Sequence, residues 1–362
     1  MEVGSVRTMI LHAQPSCITF LPNAPKYFVI GTYALDNFQE DQNSSDHEEQ
    51  HDSPQTRSGT ILFYQLGPKM QEATLLSWLP TDSGILNFQF SPQQPRNLLA
   101  AATSNGKIVY YTVDPTTGNQ ISRQNEHSIA DPSTLVLDLA WHPSGNMLAV
   151  GTSDGRVILC DTITVEDVGV EVTHQRDIGM HDYSLQVWCV VFWGSSVLSG
   201  GDDSALVASS PSQDDGETKQ CWKDTKIHGA GVTAILPLTD DLIVTGSFDD
   251  TIRLVNVPQT GTGRRKVLTE QKLGGGVWRL APLYSNVKEW RILVSCMHAG
   301  AQIVRLFENQ DGWRFEVLMR CTKHKSMNYA SASQPKSDDV TVASTSFYDR
   351  TLCLWNGKAT SV

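Results

Sequence analysis

Apolar and polar positions alternate along this chain in short runs that predict β-strands rather than helices. The segment LVLDLAWHP at 135–143 places Leu135, Leu137, Leu139 and Trp141 at every second position, which is the period of a strand packed between sheets. Glycine, asparagine and aspartate separate such runs, and these residues supply the geometry of tight hairpin turns. The pattern therefore predicts an all-β chain of short antiparallel strands.

One unit recurs along the chain: an apolar run, a turn of small residues, and a β-branched run. Two clear copies are MLAVGTSDGRVILC at 147–160 and LIVTGSFDDTIRLV at 242–255. Seven copies can be aligned, and the last six are spaced by 49, 49, 46, 50 and 49 residues. Seven units of four strands are typical of a seven-bladed β-propeller of WD40 type. The residues that open the turns are Gly31, Ala102, Gly151, Gly200, Gly246, Cys296 and Thr345.

The two ends of the repeat array complete this architecture. The last copy ends at Trp355-Asn356, so the N-terminal run Val6–Leu11 is expected to supply the missing strand and close the ring. In the first copy, Asp36–Ser58 carries seven acidic residues and one arginine without periodicity, which predicts a disordered acidic insertion. The whole chain, 1–362, is expected to form one propeller domain.

Composition and charge remove several classes of function. The formal net charge is −11, which argues against non-specific binding to nucleic acid or to an anionic membrane. Apolar runs of signal-peptide or membrane-spanning length are missing from the sequence. The seven cysteines are scattered without a CxxC pair, so the sequence predicts neither a metal site nor a disulfide framework. We expect an intracellular protein without a cofactor, and a monomer, since a closed ring gives no reason to dimerise.

Two motifs resemble those of enzymes but fit the repeat better. Gly151–Gly155 matches the GxSxG nucleophile elbow, which requires a strand-to-helix turn, whereas here the same positions recur as a hairpin turn at Ala102–Gly106. Gly274–Gly276 resembles a phosphate loop but lacks the Lys-Ser/Thr that should follow, so a sharp turn or a close backbone approach is expected. His181 and His228 stand before inner strands and are expected to form buried hydrogen bonds with a hydroxyl and a turn aspartate.

Three segments in the last blades depart from the structural pattern. Cys296–His298 occupies a hairpin turn where the two preceding blades carry glycine and aspartate. Gly274–Arg279 (GGGVWR) places an indole and a guanidinium at the start of the same blade, and His324–Tyr329 places an imidazole, a hydroxyl and a phenol at the start of the next. We expect these segments to surround one pocket near the mouth of the channel. Ordinary blade packing is the alternative for each residue taken alone.

These segments resemble one family of WD40 proteins, the diphthine methyl ester hydrolases of diphthamide synthesis. The resemblance is strong from about residue 181 to residue 356, and GGGVWR followed by CMH is its most specific part. Asn328–Ala330 departs from the family, which tends to have Tyr-Gly there. The segments that carry the resemblance are HDYSLQVW at 181–188, SGGDD at 199–203, GSFDD at 246–250, GGGVWR at 274–279, CMH at 296–298 and SFYDR at 346–350.

The resemblance implies a fold, a cytoplasmic location and a reaction. The protein substrate would be translation elongation factor 2, on which one histidine is elaborated to a side chain with a trimethylammonium group and a methyl ester. The hydrolase would remove the ester methyl as methanol and leave the carboxylate of diphthine, which is later amidated. Neither a cofactor nor a metal is implied.

Candidate catalytic residues follow from residue type and from the expected face of the propeller. Ester hydrolysis needs a nucleophile or an activated water, a base, and donors for the developing oxyanion. His298 is the candidate base, because a neutral imidazole can accept a proton near pH 7. Ser326 is one candidate nucleophile, and a water held by His298 and Asp202 is the other. Arg279 and Tyr329 are the candidate oxyanion donors.

Substrate binding is assigned to aromatic residues, and a second class of function stays open. Trp278, together with Trp188, is expected to cover the trimethylammonium group through cation–π contacts, and His324 is counted among the substrate-binding residues. The alternative is a non-catalytic WD40 scaffold that assembles protein partners, because a fold does not determine a function. A polar pocket lined by histidine would favour the enzyme, and a flat apolar face would favour the scaffold.

Overall fold

Seven antiparallel sheets follow one another along the chain in this computed structural model. The first strand of each sheet contacts the first strand of the next, and that of the seventh contacts that of the first, so the sheets close into a ring. The structure is therefore all-β, and it confirms the predicted seven-bladed propeller. The residues that the structure describes are 7–35, 57–67, 72–94, 96–165, 169–182, 185–211, 218–258, 263–334 and 339–358.

Each sheet is one blade, and its first strand is called the inner strand below. Blades 1 and 2 contain β2 (Pro15–Phe20), β3 (Tyr27–Thr32), β4 (Ala34–Leu35), β5 (Arg57–Leu66) and β6 (Ala73–Thr81), then β7 (Ile85–Phe90), β8 (Leu98–Thr103), β9 (Lys107–Val113) and β10 (Ile121–Ser128). Blades 3 and 4 contain β11 (Val136–Trp141), β12 (Met147–Thr152), β13 (Arg156–Val165) and β14 (Gly169–Met180), then β15 (Val187–Trp193), β16 (Ser196–Gly201), β17 (Leu206–Pro211) and β18 (Thr218–Asp224). Blades 5 and 6 contain β19 (Val232–Pro237), β20 (Leu242–Ser247), β21 (Thr251–Asn256) and β22 (Lys266–Lys272), then β23 (Arg279–Ser285), β24 (Glu289–Cys296), β25 (Gly300–Asn309) and β26 (Gly312–Cys321). Blade 7 contains β27 (Ala330–Ser333), β28 (Asp339–Ser346) and β29 (Thr351–Lys358), completed by β1 (Arg7–Ile10).

Ring closure occurs as the sequence predicts. β1 pairs antiparallel with β29, with Arg7 opposite Leu354 and Ile10 opposite Thr351, so the N-terminal strand supplies the fourth strand of blade 7. The predicted acidic insertion lies outside the described residues up to position 56, and its last two positions belong to β5. Within the described ranges, no helix is long and apolar enough to cross a bilayer.

Packing between blades requires glycine at several of the positions that mark the repeat. All seven lie at or next to the end of the second strand of a blade. A Cβ atom on Gly151, Gly200 or Gly246 would lie within 2.9 Å of a valine Cγ1 on the following blade, which is closer than real Cβ contacts allow. Gly274 has a φ of +89°, and a Cβ on Gly275 would lie 2.6 Å from the carbonyl oxygen of Cys296. This confirms the expected turn and close backbone approach.

Buried histidines join neighbouring loops and strands. His181 bonds Ser199 Oγ through Nε2 (2.9 Å) and Asp203 through Nδ1 (2.7 Å), which confirms the expected partnership of a hydroxyl and a turn aspartate. His228 bonds Thr245 Oγ1 (2.8 Å) through Nε2, but its Nδ1 has no hydrogen-bond partner among the described residues. The prediction is therefore confirmed in full for the first histidine and in part for the second.

His324 occupies the centre of a chain of hydrogen bonds in blade 7. Burial opposes ionisation of Asp349, but hydrogen bonds lower the pKa of its carboxyl to about 2, so it is a carboxylate that accepts from Ser346 Oγ. Ser346 Oγ in turn accepts from His324 Nδ1–H (3.0 Å). Ser344 Oγ then donates to Nε2 (2.8 Å) and accepts from the Trp355 indole N–H (3.0 Å). This direction fixes the neutral tautomer of the imidazole.

We expect the free energy of unfolding to fall as the pH drops from about 6.5 to 4. Burial lowers the pKa of His228 and of His324 from 6.5 to about 4. Between these values the unfolded chain binds protons that the folded chain does not, which corresponds to about 3 kcal/mol for each histidine. Asp249 and Asp349, with a pKa of about 2, titrate below this range.

Urea unfolding at several pH values between 7 and 4 measures the effect. His228→Asn removes one of the two histidines whose pKa is lowered by burial and should therefore reduce the pH dependence. A free energy of unfolding that is constant over this range in the unsubstituted protein would contradict the assignment.

Candidate functional site

One residue in the inner strand of most blades is skipped by the sheet register. In blade 3, Val136 and Asp138 pair with consecutive residues of β12, so Leu137 bulges out of the ladder. The same shift occurs in blades 1, 2, 4 and 5, and in blades 6 and 7 the equivalent residue precedes the first strand residue. A bulge re-aims a side chain. We call the seven equivalent residues the bulge ring: Ser16, Leu86, Leu137, Trp188, Thr233, Trp278 and Tyr329.

Six of the seven bulge-ring residues line one cavity of about 340 Å³, called here the axial pocket. The exception is Thr233, which is buried and donates its hydroxyl to the carbonyl oxygen of Val277. The bulge also interrupts the alternation predicted for blade 3, because Leu135 and Leu137 line the pocket while Leu139 and Trp141 pack in the core. The other lining residues are Tyr33, Leu35, Gln186, Phe347 and Tyr348.

Aromatic rings form a continuous arc on one side of the axial pocket. The ring centroids of Trp188 and Trp278 are 5.1 Å apart, and those of Trp278 and Tyr329 are 5.0 Å apart. Phe347 continues the arc at 5.5 Å from Tyr329, and Tyr348 follows at 5.1 Å. The faces of such rings attract cations, most strongly when the cation is desolvated. This wall is therefore suited to an apolar cation such as a quaternary ammonium group.

A charged pair lies one residue beyond the bulge ring in two of the inner strands. Arg279 follows Trp278 in blade 6, and Asp138 follows Leu137 in blade 3. The arginine Nη1 lies 4.0 Å from the aspartate Oδ1 and 3.4 Å from the carbonyl oxygen of Trp188. The guanidinium carbon is 5.5 Å from the Trp278 ring centroid. The axial pocket thus combines an aromatic wall with a guanidinium next to it, which can bind a cation and an adjacent oxygen acceptor.

Five of the predicted site residues are brought together. Trp188, Trp278 and Tyr329 line the axial pocket, and Arg279 contacts two of them through the bonds described above. Asp202 accepts a hydrogen bond from the Trp188 indole N–H (2.5 Å), so it orients this ring. Burial raises the pKa of Tyr329 to about 12, which keeps its phenol neutral and able to donate.

The other three predicted residues, like Arg279 and Asp202, are not among those that line the axial pocket. His298 is exposed at the turn between β24 and β25. Ser326 Oγ donates to Asp349 (2.8 Å) and accepts the backbone N–H of Tyr348 (3.0 Å), so it holds a turn together. His324 is occupied by its two serine partners. The pocket is concave, as expected for an enzyme, but its lining contains aromatic and aliphatic residues where histidine was expected.

Sequence reasoning missed several lining residues and the buried acid. Tyr33, Phe347 and Tyr348 lie between strands, where periodicity gives no orientation, although SFYDR at 346–350 is one of the segments that carry the family resemblance. Asp138 did leave a signal, since it is the single charged residue in the apolar run at 135–143.

Cys321, His324 and Cys353 are the described residues that come closest to a metal site. Their ligand atoms all lie within 4.8 Å of one another. However, the histidine Nδ1 carries the proton donated to Ser346, because Ser346 itself donates to the carboxylate of Asp349. A metal at this nitrogen would have to break that chain of hydrogen bonds. The donor set therefore fits a structural cluster better than a metal centre.

Comparisons with known proteins agree with the fold and identify relatives. Residues 88–195 match the family described as the anaphase-promoting complex subunit 4 WD40 domain. A chain from the crystal structure of the mitotic checkpoint complex is similar over 99% of this chain and 93% of its own, with a TM-score of 0.63 and 14% identity. At that identity the likeness concerns the fold alone.

Three curated relatives align with most of this chain. The Dictyostelium discoideum diphthine methyltransferase homolog is 27% identical over 76% of each chain. The diphthine methyltransferase of Saccharomyces cerevisiae is 26% identical over 94% of this chain and 95% of its own. The diphthine methyltransferase of Schizosaccharomyces pombe is 30% identical over 334 residues, which are 90% of each chain. On this similarity, the chain belongs to the diphthine methyltransferase family.

Proposed function

We propose that this protein acts in diphthamide biosynthesis as a carboxylic ester hydrolase. Its substrate would be the methylated diphthine intermediate on translation elongation factor 2, encountered in the cytoplasm. Each turnover would add one water to the methyl ester and release methanol, a carboxylate and a proton. The observation that carries the proposal is the aromatic wall of the axial pocket together with the guanidinium of Arg279, which contacts two residues of that wall. The relatives are named for diphthine, but as methyltransferases, so the hydrolytic reaction is the proposal's own content.

The pocket offers a recognition element for each end of the substrate head group. Trp188, Trp278 and Tyr329 would surround the trimethylammonium group and stabilise it through cation–π contacts. Arg279 would then face the neighbouring ester carbonyl and donate to its oxygen as negative charge develops there. The neutral phenol of Tyr329 would be the second donor. The net charge of −11 also favours a cationic substrate over an anionic one.

Water is the nucleophile that fits the geometry best. The Ser326 hydroxyl donates to Asp349 and accepts two backbone N–H groups. The carboxyl of Asp349 has a pKa of about 2, so it is a weak base for activating this serine. Asp202 and His298 remain the proposed groups that hold and deprotonate the attacking water. Both stand outside the lining of the axial pocket in the free protein, so their role depends on the geometry of the complex with the protein substrate.

Methanol release is the direct test. Purified protein is mixed with elongation factor 2 carrying the methylated intermediate, and methanol is quantified together with the loss of one methylene mass from the modified peptide. We expect stoichiometric release. His298→Ala and Ser326→Ala separate the two proposed routes, since only the first should abolish turnover if water attacks. No release from a folded protein that binds this substrate would favour the scaffold function.

Trp278→Leu should weaken substrate binding more than it slows chemistry. Loss of one cation–π face is worth about 0.5–2 kcal/mol, so we expect KM to rise by roughly 2- to 30-fold. Trp313→Leu is the matched control, because this indole lies on the outer strand of the same blade and packs against Trp290. Equal KM values for the two variants would remove Trp278 from the binding site.

A further inference from the structure

A buried carboxylate next to the axial pocket has no assigned part in the reaction. Asp138 is 5% exposed and lies on the inner strand of blade 3. Its Oδ2 accepts the backbone N–H of Val190 in blade 4 (2.9 Å), and its Oδ1 accepts a hydrogen bond from the side-chain amide of Asn87 in blade 2. Burial raises the pKa of Asp138, and the charge of Arg279 and these hydrogen bonds oppose that rise. These contacts with Val190, Asn87 and Arg279 hold the carboxyl group of Asp138 in one position.

The one cation that pairs with Asp138 in the described part of the chain comes from a distant blade. Arg279 belongs to blade 6, which is not a neighbour of blade 3 in the ring, yet its Nη1 is 4.0 Å from Asp138 Oδ1. The same Nη1 donates to the carbonyl oxygen of Trp188. Because a guanidinium carries five N–H donors, contacts through one nitrogen leave the Nη2 and Nε donors for another acceptor.

The contact with Asp138 orients the side chain of Arg279. A long side chain at the edge of a cavity has several rotamers, and fixing one of them costs conformational entropy. We propose that Asp138 is a positioning residue that holds the guanidinium of Arg279 across the axis, so that the remaining donors face the axial pocket. The inference rests on the proposed function, because the contribution of those N–H donors is measured as a change in the rate of ester hydrolysis. A purely structural role, joining blades 2, 3 and 4, is the competing account.

A double-mutant cycle on the full chain separates the two accounts. Asp138→Asn, Arg279→Met and the double variant are compared with the unsubstituted protein by methanol release, with kcat and KM determined separately. We expect Asp138→Asn to lower kcat by about 10- to 100-fold, as misplacement of a reacting group does, with little change in KM. In the Arg279→Met background the same substitution should lower kcat no further. An equal loss in both backgrounds would overturn the positioning role.

If Asp138→Asn folds poorly, Asn87→Ala provides a second test of the positioning role of Asp138. It removes one hydrogen bond to Asp138 Oδ1 but leaves the charge, so a smaller loss of kcat, again absent in the Arg279→Met background, is expected. The free energy of unfolding of every variant is measured alongside. Absence of turnover in the unsubstituted protein would be a failure of the proposed function, seen before any variant is compared. Turnover with additive losses would be a failure of this inference alone.

Discussion

Arg279→Met should lower kcat for methanol release by about 100- to 1000-fold, the loss that follows removal of one oxyanion donor. Methionine keeps much of the length of the side chain and removes every donor. The stacking contact with Trp278, whose ring centroid lies 5.5 Å from the guanidinium carbon, is the part that methionine can partly replace. We therefore expect the loss in kcat to exceed the change in KM, measured with the methylated intermediate on elongation factor 2.

Two controls make this result specific. Arg314→Met removes an exposed arginine from the outer strand of the same blade, where it pairs with Asp311, and should leave kcat unchanged. Arg279→Met also leaves Asp138 buried without its cation, which destabilises a protein. Assays are therefore run well below the unfolding temperature of the variant. A folded Arg279→Met protein with unchanged kcat would exclude the guanidinium from the chemistry.

Trp355→Ala should lower the free energy of unfolding by about 3–5 kcal/mol, the usual cost of truncating a buried aromatic side chain. Trp355 is fully buried in blade 7, and its indole N–H donates to Ser344 Oγ at the end of the hydrogen-bond chain through His324. Its loss leaves a cavity and removes one donor from that chain. Urea unfolding measures the change, and Trp355→Phe should recover the part that is due to volume.

Trp78→Ala is the comparison for that experiment. Trp78 is 62% exposed on the outer strand of blade 1, and surface substitutions change stability by about 0.5 kcal/mol or less. Similar losses for both tryptophans would contradict the expectation that burial of Trp355 determines the size of the effect.

The fold could be predicted from the sequence because glycines that pack closely against the next blade recur along the chain. A glycine such as Gly200 is needed where a valine of the next blade packs against the second strand, so the same constraint recurs at a nearly constant interval. The strand that closes the ring could be inferred because the last copy lacks a fourth strand. The strand pairing at the acidic segment was less accessible, since Arg57 and Ser58 extend β5 and pair with β4.

The site was accessible only in part. Trp278 and Tyr329 stood out as residue types unusual for their position, whereas Trp188 entered through the family resemblance. All three line the axial pocket. His298 and Ser326 stood out for the same reason as Trp278 and Tyr329. However, His298 is exposed at a hairpin turn, and the hydroxyl of Ser326 is engaged in hydrogen bonds within its loop. Periodicity assigns a residue to a strand, whereas a bulge decides which way its side chain points. A one-residue shift of the strand register cannot be recognised from the sequence of an apolar run.

The bulge ring has a consequence for how the pocket of this protein can change. Five of its residues are skipped by the ladder that holds their blade together, as Leu137 is in blade 3, and the other two precede the first strand residue of their blades. Six of them meet at one cavity while belonging to six separate sheets. Substitutions of bulge-ring residues can therefore change the chemistry of the pocket one blade at a time, with little loss of strand pairing. New ligand preferences can therefore evolve through substitutions at these positions while the strand pairing of the propeller stays the same.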